Sequence, residues 1–442
     1  MTETPAKRLF YGWYIAAACL LIYLFTNGMS IFVPQNLFPR FMESFAATEG
    51  QVSLTTGLMF GVTIFVAPFA GALIDRFGPL RVIRIGLTIM AVCFTAYPFT
   101  QSIRQLIAIH IGLGFGLVLG GLLVNVVLLS NWFVRRRGAI IGLLTSMSSL
   151  GGLILPNMIA PLVNAPEYGW RWGMGALTVA FWLLAIVPGF FVLRARPADV
   201  GQFPDGDAVP ARATGTNANH GPEEQTDGVS FGAALRSRTI YVLAIGSACL
   251  WFTFQAINSQ IQIYLELEAG LPAPDATRLY TTIFGCSVAG KFLFGAISDR
   301  FAKRHVMRAA SLVLLLGCLS IFDWSGGAPG LTADTARLTL FTVLFGLGYG
   351  GSFTMIQLVC VESFGRRALG KLLGIIICID SAGGMFGTVW TGQMKTATGS
   401  YLIPFTVVAI VAFVALINVL LIRPVPVRPH VAPMAGAPPA TP

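Results

Sequence analysis

Residues 71–81 read Gly71-Ala-Leu-Ile-Asp75-Arg76-Phe-Gly78-Pro-Leu-Arg81. A long apolar run ends here, charges and a turn follow at once, and a second apolar run opens at Val82. A near copy stands much later in the chain: Gly295-Ala-Ile-Ser-Asp299-Arg300-Phe301, then Lys303, Arg304 and a new apolar run. Two such hairpins at equivalent places predict two related halves embedded in a membrane. Gly71 is expected to let two helices approach closely. Asp75, at a helix end, is suited to accept from the exposed N–H groups of a neighbouring helix start. Arg76 and Arg81 hold the turn in the cytosol. With Gly78, Asp299 and Arg300 they make up the expected conformational gate.

Composition sets the class. Hydrophobic residues are 55% of the chain and charged residues only 11%, with a mean hydropathy of +0.74, which excludes an ordinary water-soluble core. Gly accounts for 49 of 442 residues, above average usage, as close-packed membrane helices require. The formal net charge of +10 would raise the question of nucleic acid in a soluble protein. Here the basic residues sit in short turns between apolar spans and read as topology signals, so no nucleic-acid partner is expected. Cys19, Cys93, Cys249, Cys286, Cys318, Cys360 and Cys378 all fall within apolar spans without a CxxC, so neither a disulfide nor a metal is implied.

The apolar spans predict an all-α protein of twelve transmembrane helices in two pseudo-symmetric six-helix bundles. The expected spans are Tyr11–Pro34, Val52–Ile74, Val82–Phe99, Gln105–Asn131, a fifth ending at Leu162 and a sixth ending at Leu193. The second set is Thr239–Leu265, Ala276–Ile297, Val306–Phe322, Arg337–Val361, Leu369–Met394 and Tyr401–Ile422. The first span lacks a small-residue cleavage site and reads as retained. The expected organisation is thus a bundle over 1–193, a polar cytosolic linker over 194–236 with a short interfacial helix near Ser230–Arg238, a bundle over 237–423, and a Pro/Ala-rich disordered tail over 424–442. Loops assigned to the cytosol hold 22 of the 29 Lys and Arg, the opposite loops hold six, and Lys291 is left over. Positive-inside then places both termini in the cytosol, in what is expected to be a bacterial inner membrane.

Few residues inside the spans could do chemistry. Lys291 lies about two turns from the cytosolic end of the eighth span, at about 1.5 Å per residue. A charge at such depth costs about 2.5–3.5 kcal/mol on insertion scales, so it must face a cavity or a partner. Asp380 lies at similar depth in the eleventh span, beside Ser381-Ala382-Gly383-Gly384. The two form either a structural ion pair or a substrate and proton site. On the seventh span Trp251, Gln255, Asn258 and Gln262 share a face by 3–4 spacing, which predicts a wet cavity. Similar stripes carry Tyr23, Asn27 and Ser30; His110, Gly114, Gly121 and Asn125; and Tyr280, Phe284, Ser287 and Lys291. Gln357 adds an amide to the tenth span. For any one of these amides, interhelical packing competes with ligand contact. His110 is a second titratable candidate against a plain packing role. Glu266, Glu268 and Arg278 near the outer mouth read as solvated. An intramembrane enzyme is not supported: no H-E-x-x-H, paired membrane aspartates or G-x-S-x-G occurs, and no cofactor is implied.

The Gly71–Arg81 pattern resembles the signature loop between helices 2 and 3 of the major facilitator superfamily, and the Gly295 copy its weaker echo between helices 8 and 9. Tyr11-Gly12-Trp13-Tyr14, the run Asn131-Trp132-Phe133-Val134-Arg135-Arg136-Arg137-Gly138-Ala139, and Gly169-Trp170-Arg171 are similar to the monocarboxylate and oxalate/formate branch. In that branch a helix 8 arginine binds the substrate carboxylate. Lys291 occupies the matching position, four residues before Gly295, and keeps the charge without the bidentate fork. The branch also uses a lysine on helix 1 or 11; here the first span has none and the eleventh carries Asp380. The resemblance implies a secondary transporter of a small organic anion, monocarboxylate-like, working by alternating access. Lys291 would meet the carboxylate; Asn27, Asn125, Gln255, Asn258, Tyr280, Phe284 and Gln357 would fit its body; Asp380 or His110 would take a coupling proton. Exchange against a counter-anion, or export of neutral or lipophilic compounds, is the alternative.

Overall fold

The computed structural model describes residues 10–207, 229–325, 330–365 and 369–422. The core of the expected linker (208–228), the tail from 423 and the basic turn at Arg366 and Arg367 lie outside the described residues. Eleven helices are long and apolar enough to cross a membrane, and Lys303–Ser320 makes a twelfth whose first turns carry Lys303, Arg304 and Arg308. In the first half these are α1 (Gly12–Asn36), α2 (Glu49–Phe77), α3 (Pro79–Phe99), α4 (Ile103–Trp132), α5 (Arg137–Val163) and α6 (Gly169–Val192). In the second they are α7 (Arg238–Glu268), α8 (Ala273–Ser298), α9 (Lys303–Ser320), α10 (Thr335–Phe364), α11 (Leu369–Thr398) and α12 (Leu402–Leu420).

Local chemistry starts and stops the helices. Thr48 and Gln51 form a reciprocal capping box at the head of α2, and Ser102, Ser237 and Asp334 cap α4, α7 and α10 through their side chains. Gly78 takes φ +79°, and Pro79 then opens α3 with its ready-set φ, so the turn read from residues 71–81 is as tight as its sequence demands. The expected continuous fourth span is broken at Gly121 (φ −89°, ψ −144°). The expected interfacial helix is a single turn, Phe231–Leu235. Besides the helices, a two-residue antiparallel pairing joins Phe322–Asp323 to Gly330–Leu331 between α9 and α10. There the Ser325 hydroxyl and amide and the Arg337 guanidinium hold the exposed Asp323 carboxyl down at about 2.

Small residues decide which helices touch. A Cβ at Gly350 of α10 would sit 2.0 Å from the Ser287 carbonyl of α8, and one at Gly290 of α8 would meet the Leu347 carbonyl at 2.4 Å. The same logic joins α9 to α10 through Gly317 and Gly348, α7 to α11 through Gly383 and Gly387, and α3 to α4 through Gly86. Between the halves, α2 packs on α11 and α5 on α8. Gly57 of α2 faces Val389, and Gly392 of α11 faces Ser53. These contacts lie towards the end opposite the basic loops. Phe65 and Phe69, further along α2, are 75% and 65% exposed. Gly71 and Gly295 meet nothing within 4 Å, so the close approach expected at Gly71 does not occur in this conformation.

Candidate functional site

Lys291 is buried on α8, and its Nζ donates to the Thr145 carbonyl of α5 at 2.9 Å, across the two halves. The ammonium also lies 4.8 Å from the centre of the Phe353 ring on α10, a cation–π contact strengthened by desolvation. Of the cross-half hydrogen bonds among the described residues, this one lies nearest the basic face. Asp380 of α11 is also buried and accepts from Ser247 Oγ of α7 at 2.5 Å, with Trp251 as a further hydrogen-bonding neighbour. The anticipated Lys291–Asp380 ion pair is therefore not made: each charge has its own polar partners, and no carboxylate pairs with Lys291 among the described residues.

Aromatic rings connect the two. Trp251 lies 6.1 Å from Phe353, and Phe254 stacks on Tyr349. Together with Leu250 and Ser352 they line a small hollow in the second half, with the Lys291-bearing ring on one wall and the neighbour of Asp380 on another. Of its lining residues, Ser352 has a hydroxyl buried without a partner among the described residues. Gln255 lies beside it on α7, fully buried, with neither its Oε1 nor its Nε2 hydrogen-bonded. Gln357 sits one turn beyond Phe353 on α10, half-buried.

The other predicted residues separate into seam and scaffold. Tyr280 donates to the Phe32 carbonyl at 2.8 Å, Phe284 packs on Phe32 with centroids 4.4 Å apart, and Asn258 donates to Gln35 Oε1. All three therefore tie the second half to α1. Asn27 accepts from Ser148 Oγ at 2.6 Å and joins α1 to α5. Asn125 turns on its own helix, its side-chain amide donating to the Gly120 and Gly121 carbonyls at the break in α4. His110 bonds the Leu106 carbonyl through Nδ1 and packs edge-on against Tyr97, within an aromatic group that includes Phe41 and Trp170. Geometry gives both residues packing work and keeps them apart from the hollow. On the basic face, Asp75, Arg76, Arg81, Asp299 and Arg300 are exposed, and Asp75 makes no hydrogen bond among the described residues.

Sequence reasoning passed over several participants. Ser247 continues the 3–4 stripe of Trp251, Gln255 and Asn258, so its place could have been read from spacing alone. Phe353 and the Thr145 carbonyl had no such signal. Glu266, expected to be solvated, pairs with Arg40 of the first half at 2.9 Å, and Glu268 pairs with Lys395. Of that outer group Glu268 and Arg278 are exposed, Arg278 alongside Asp275.

The comparisons agree with this architecture. The Major Facilitator Superfamily profile matches residues 20–288 and 243–441. The agnestins efflux protein AgnL12 of Paecilomyces divaricatus is 22% identical over 85% of the chain and 78% of its own length. The cis,cis-muconate transport protein of Acinetobacter baylyi is 21% identical over 91% and 92%, and monocarboxylate transporter 4 of Rattus norvegicus is 21% identical over 88% and 78%. A solved bacterial homologue of the human lysosomal transporter Spinster, inward-facing and occupied, superposes with a TM-score of 0.72 at 15% identity, covering 94% of this chain and 97% of that one. With two six-helix halves meeting at α2–α11 and α5–α8, and a family profile spanning nearly its whole length, the chain belongs to the Major Facilitator Superfamily.

Proposed function

We propose that this transporter moves small organic anions, with a carboxylate seated on Lys291, by rocking two six-helix bundles (1–193 and 237–423) about a central site. The observation that carries the reading is a buried ammonium held, among the described residues, only by a carbonyl and a ring face. An entering carboxylate offers that charge a far better partner than either. The termini and basic loops face the cytosol of a bacterial inner membrane, because 22 of 29 basic residues lie in those loops. Coupling is to a proton on Asp380, which sits buried with a hydroxyl rather than a cation beside it; exchange against a counter-anion is the variant that needs no such group. Relatives named for muconate and monocarboxylate transport support the anion class.

A screen of purified protein for thermal stabilisation by carboxylates tests this directly, since a ligand that binds only the folded state raises apparent stability by mass action. Stabilisation by at least one carboxylate, abolished in Lys291→Gln, is expected. Stabilisation by lipophilic neutral compounds alone would favour the second reading, an exporter. The aromatic hollow and a relative named as an efflux protein speak for that one.

A further inference from the structure

Among the described residues, buried amides find partners with one exception. Asn27 accepts from Ser148, Asn36 donates to Thr277, and Asn125 donates to two carbonyls. Gln35 and Asn258 bond each other, Gln260 bonds Ser53 and Tyr401, and Gln262 bonds Glu266 and Thr277. Gln255 is fully buried and has neither end engaged among the described residues. Leaving one buried donor or acceptor without a bond is costly, and Gln255 leaves both. A side chain of the same length without polar atoms would remove that cost, so packing alone does not account for a glutamine here.

Its position points to a ligand. On α7 it follows Phe254, which lines the hollow, and stands one turn from Trp251, which lines it as well. Its stem runs against Gly384 of α11, where an added Cβ would lie 3.3 Å from Gln255 Cγ, and Phe60 of the first half reaches the same glycine. Asp380 is one turn away on that helix. Gln255 therefore stands beside the aromatic hollow and faces α11 near Asp380, while Lys291 lies on the Phe353 side of the hollow.

We infer that Gln255 selects the substrate, by binding a second hydrogen-bonding group on an organic acid whose carboxylate sits on Lys291. An amide offers both a donor and an acceptor, so a hydroxyl, a carbonyl or a second carboxylate satisfies it. A site built to bond such a group rejects the analogue that lacks it, because the buried amide is then left empty. The inference rests on the carboxylate reading of Lys291 proposed above.

The test measures binding of benzoate, 3-hydroxybenzoate and 4-hydroxybenzoate to purified full-length protein, by calorimetry, for the parent, Gln255→Met and Lys291→Gln. The parent is expected to prefer at least one hydroxybenzoate to benzoate by about tenfold or more. Gln255→Met should erase that preference, bringing hydroxybenzoate affinity down to that for benzoate, and its melting temperature without ligand should hold or rise. If benzoate binds in a Lys291-dependent way but the parent does not discriminate, or Gln255→Met still discriminates, the inference fails and the carboxylate reading stands. If no acid binds, or binding ignores Lys291→Gln, both fail. A marked fall in the melting temperature of unliganded Gln255→Met would show that Gln255 has a structural partner and would also overturn the inference.

Discussion

At the scale of single residues, two buried charges on separate partners make separate predictions. Lys291 has no acidic partner among the described residues, so Lys291→Gln strands no carboxylate and removes a costly buried charge. Its melting temperature is expected to stay within a few degrees of the parent while carboxylate binding falls at least about tenfold. Lys291→Arg should bind with intermediate affinity, because charge survives while the fork must find a new geometry beside Phe353. A folded Lys291→Gln protein with parental carboxylate affinity would remove Lys291 from recognition. Asp380 is read out differently. In proteoliposomes Asp380→Asn is expected to lose accumulation driven by a pH gradient while retaining substrate exchange, since an amide still accepts from Ser247 but takes up no proton. Undiminished accumulation in that variant would move coupling elsewhere.

At the scale of helices, glycines divide into those that hold two elements together and those that stand clear. Gly350 brings α10 onto α8 so closely that an alanine Cβ would fall 2.0 Å from the Ser287 carbonyl, in the same stretch of α8 that positions Lys291. Gly350→Ala should cost about 1–3 kcal/mol through overpacking and lower the melting temperature accordingly. Gly71 has open space around it, and Gly71→Ala should leave the stability of this conformation unchanged. If α2 closes on its neighbour in the opposite state, as its motif implies, the same variant should slow transport without weakening binding. Equal transport rates for Gly71→Ala and the parent would confine this glycine to the turn. The break in α4 is another element-level feature: Gly121 interrupts the helix, and the Asn125 side-chain amide donates to two carbonyls there.

At the scale of the whole molecule, the end opposite the basic loops is held by polar contacts between halves as well as by the packing of Phe32 on Phe284. Arg40 meets Glu266, the Gly50 amide donates to Thr396, Gln35 bonds Asn258, and Tyr280 bonds the Phe32 carbonyl. Ser30, Gln35, Thr56, Asn258, Gln262 and Thr388 each leave a polar atom unpartnered in or near that seam, and water would satisfy these atoms once it opened. Such a seam is stable enough to close and poor enough to part, as a two-state element must be. Glu266→Gln should tilt the balance towards opening at this end. Spin labels at Glu43 and Thr335, in a cysteine-free background, should report a longer-distance population that grows relative to the parent. An unchanged distance distribution would show that the ion pair does not bias the seam.

The chain by itself determined the class, the two-half organisation and the tight turn at Gly78-Pro79. Each of these follows from local quantities: the length of apolar runs, the repeat of a charged hairpin, and the φ preferences of glycine and proline. It also marked Lys291 and Asp380, because a charge inside a membrane span is conspicuous whatever surrounds it. Who partners those charges was not legible. The Thr145 carbonyl is common to every residue type and carries no sequence signal, and Phe353 is one phenylalanine among 33. The stripe rule grouped Asn125 and His110 with cavity residues because helical periodicity reports a shared face, not what that face meets. Tertiary packing turned those side chains onto a broken helix and an aromatic cluster, and left Gln255 without a partner among the described residues. Hydrogen bonding is decided within about 3 Å, and only the packed helices bring groups from different parts of the chain that close.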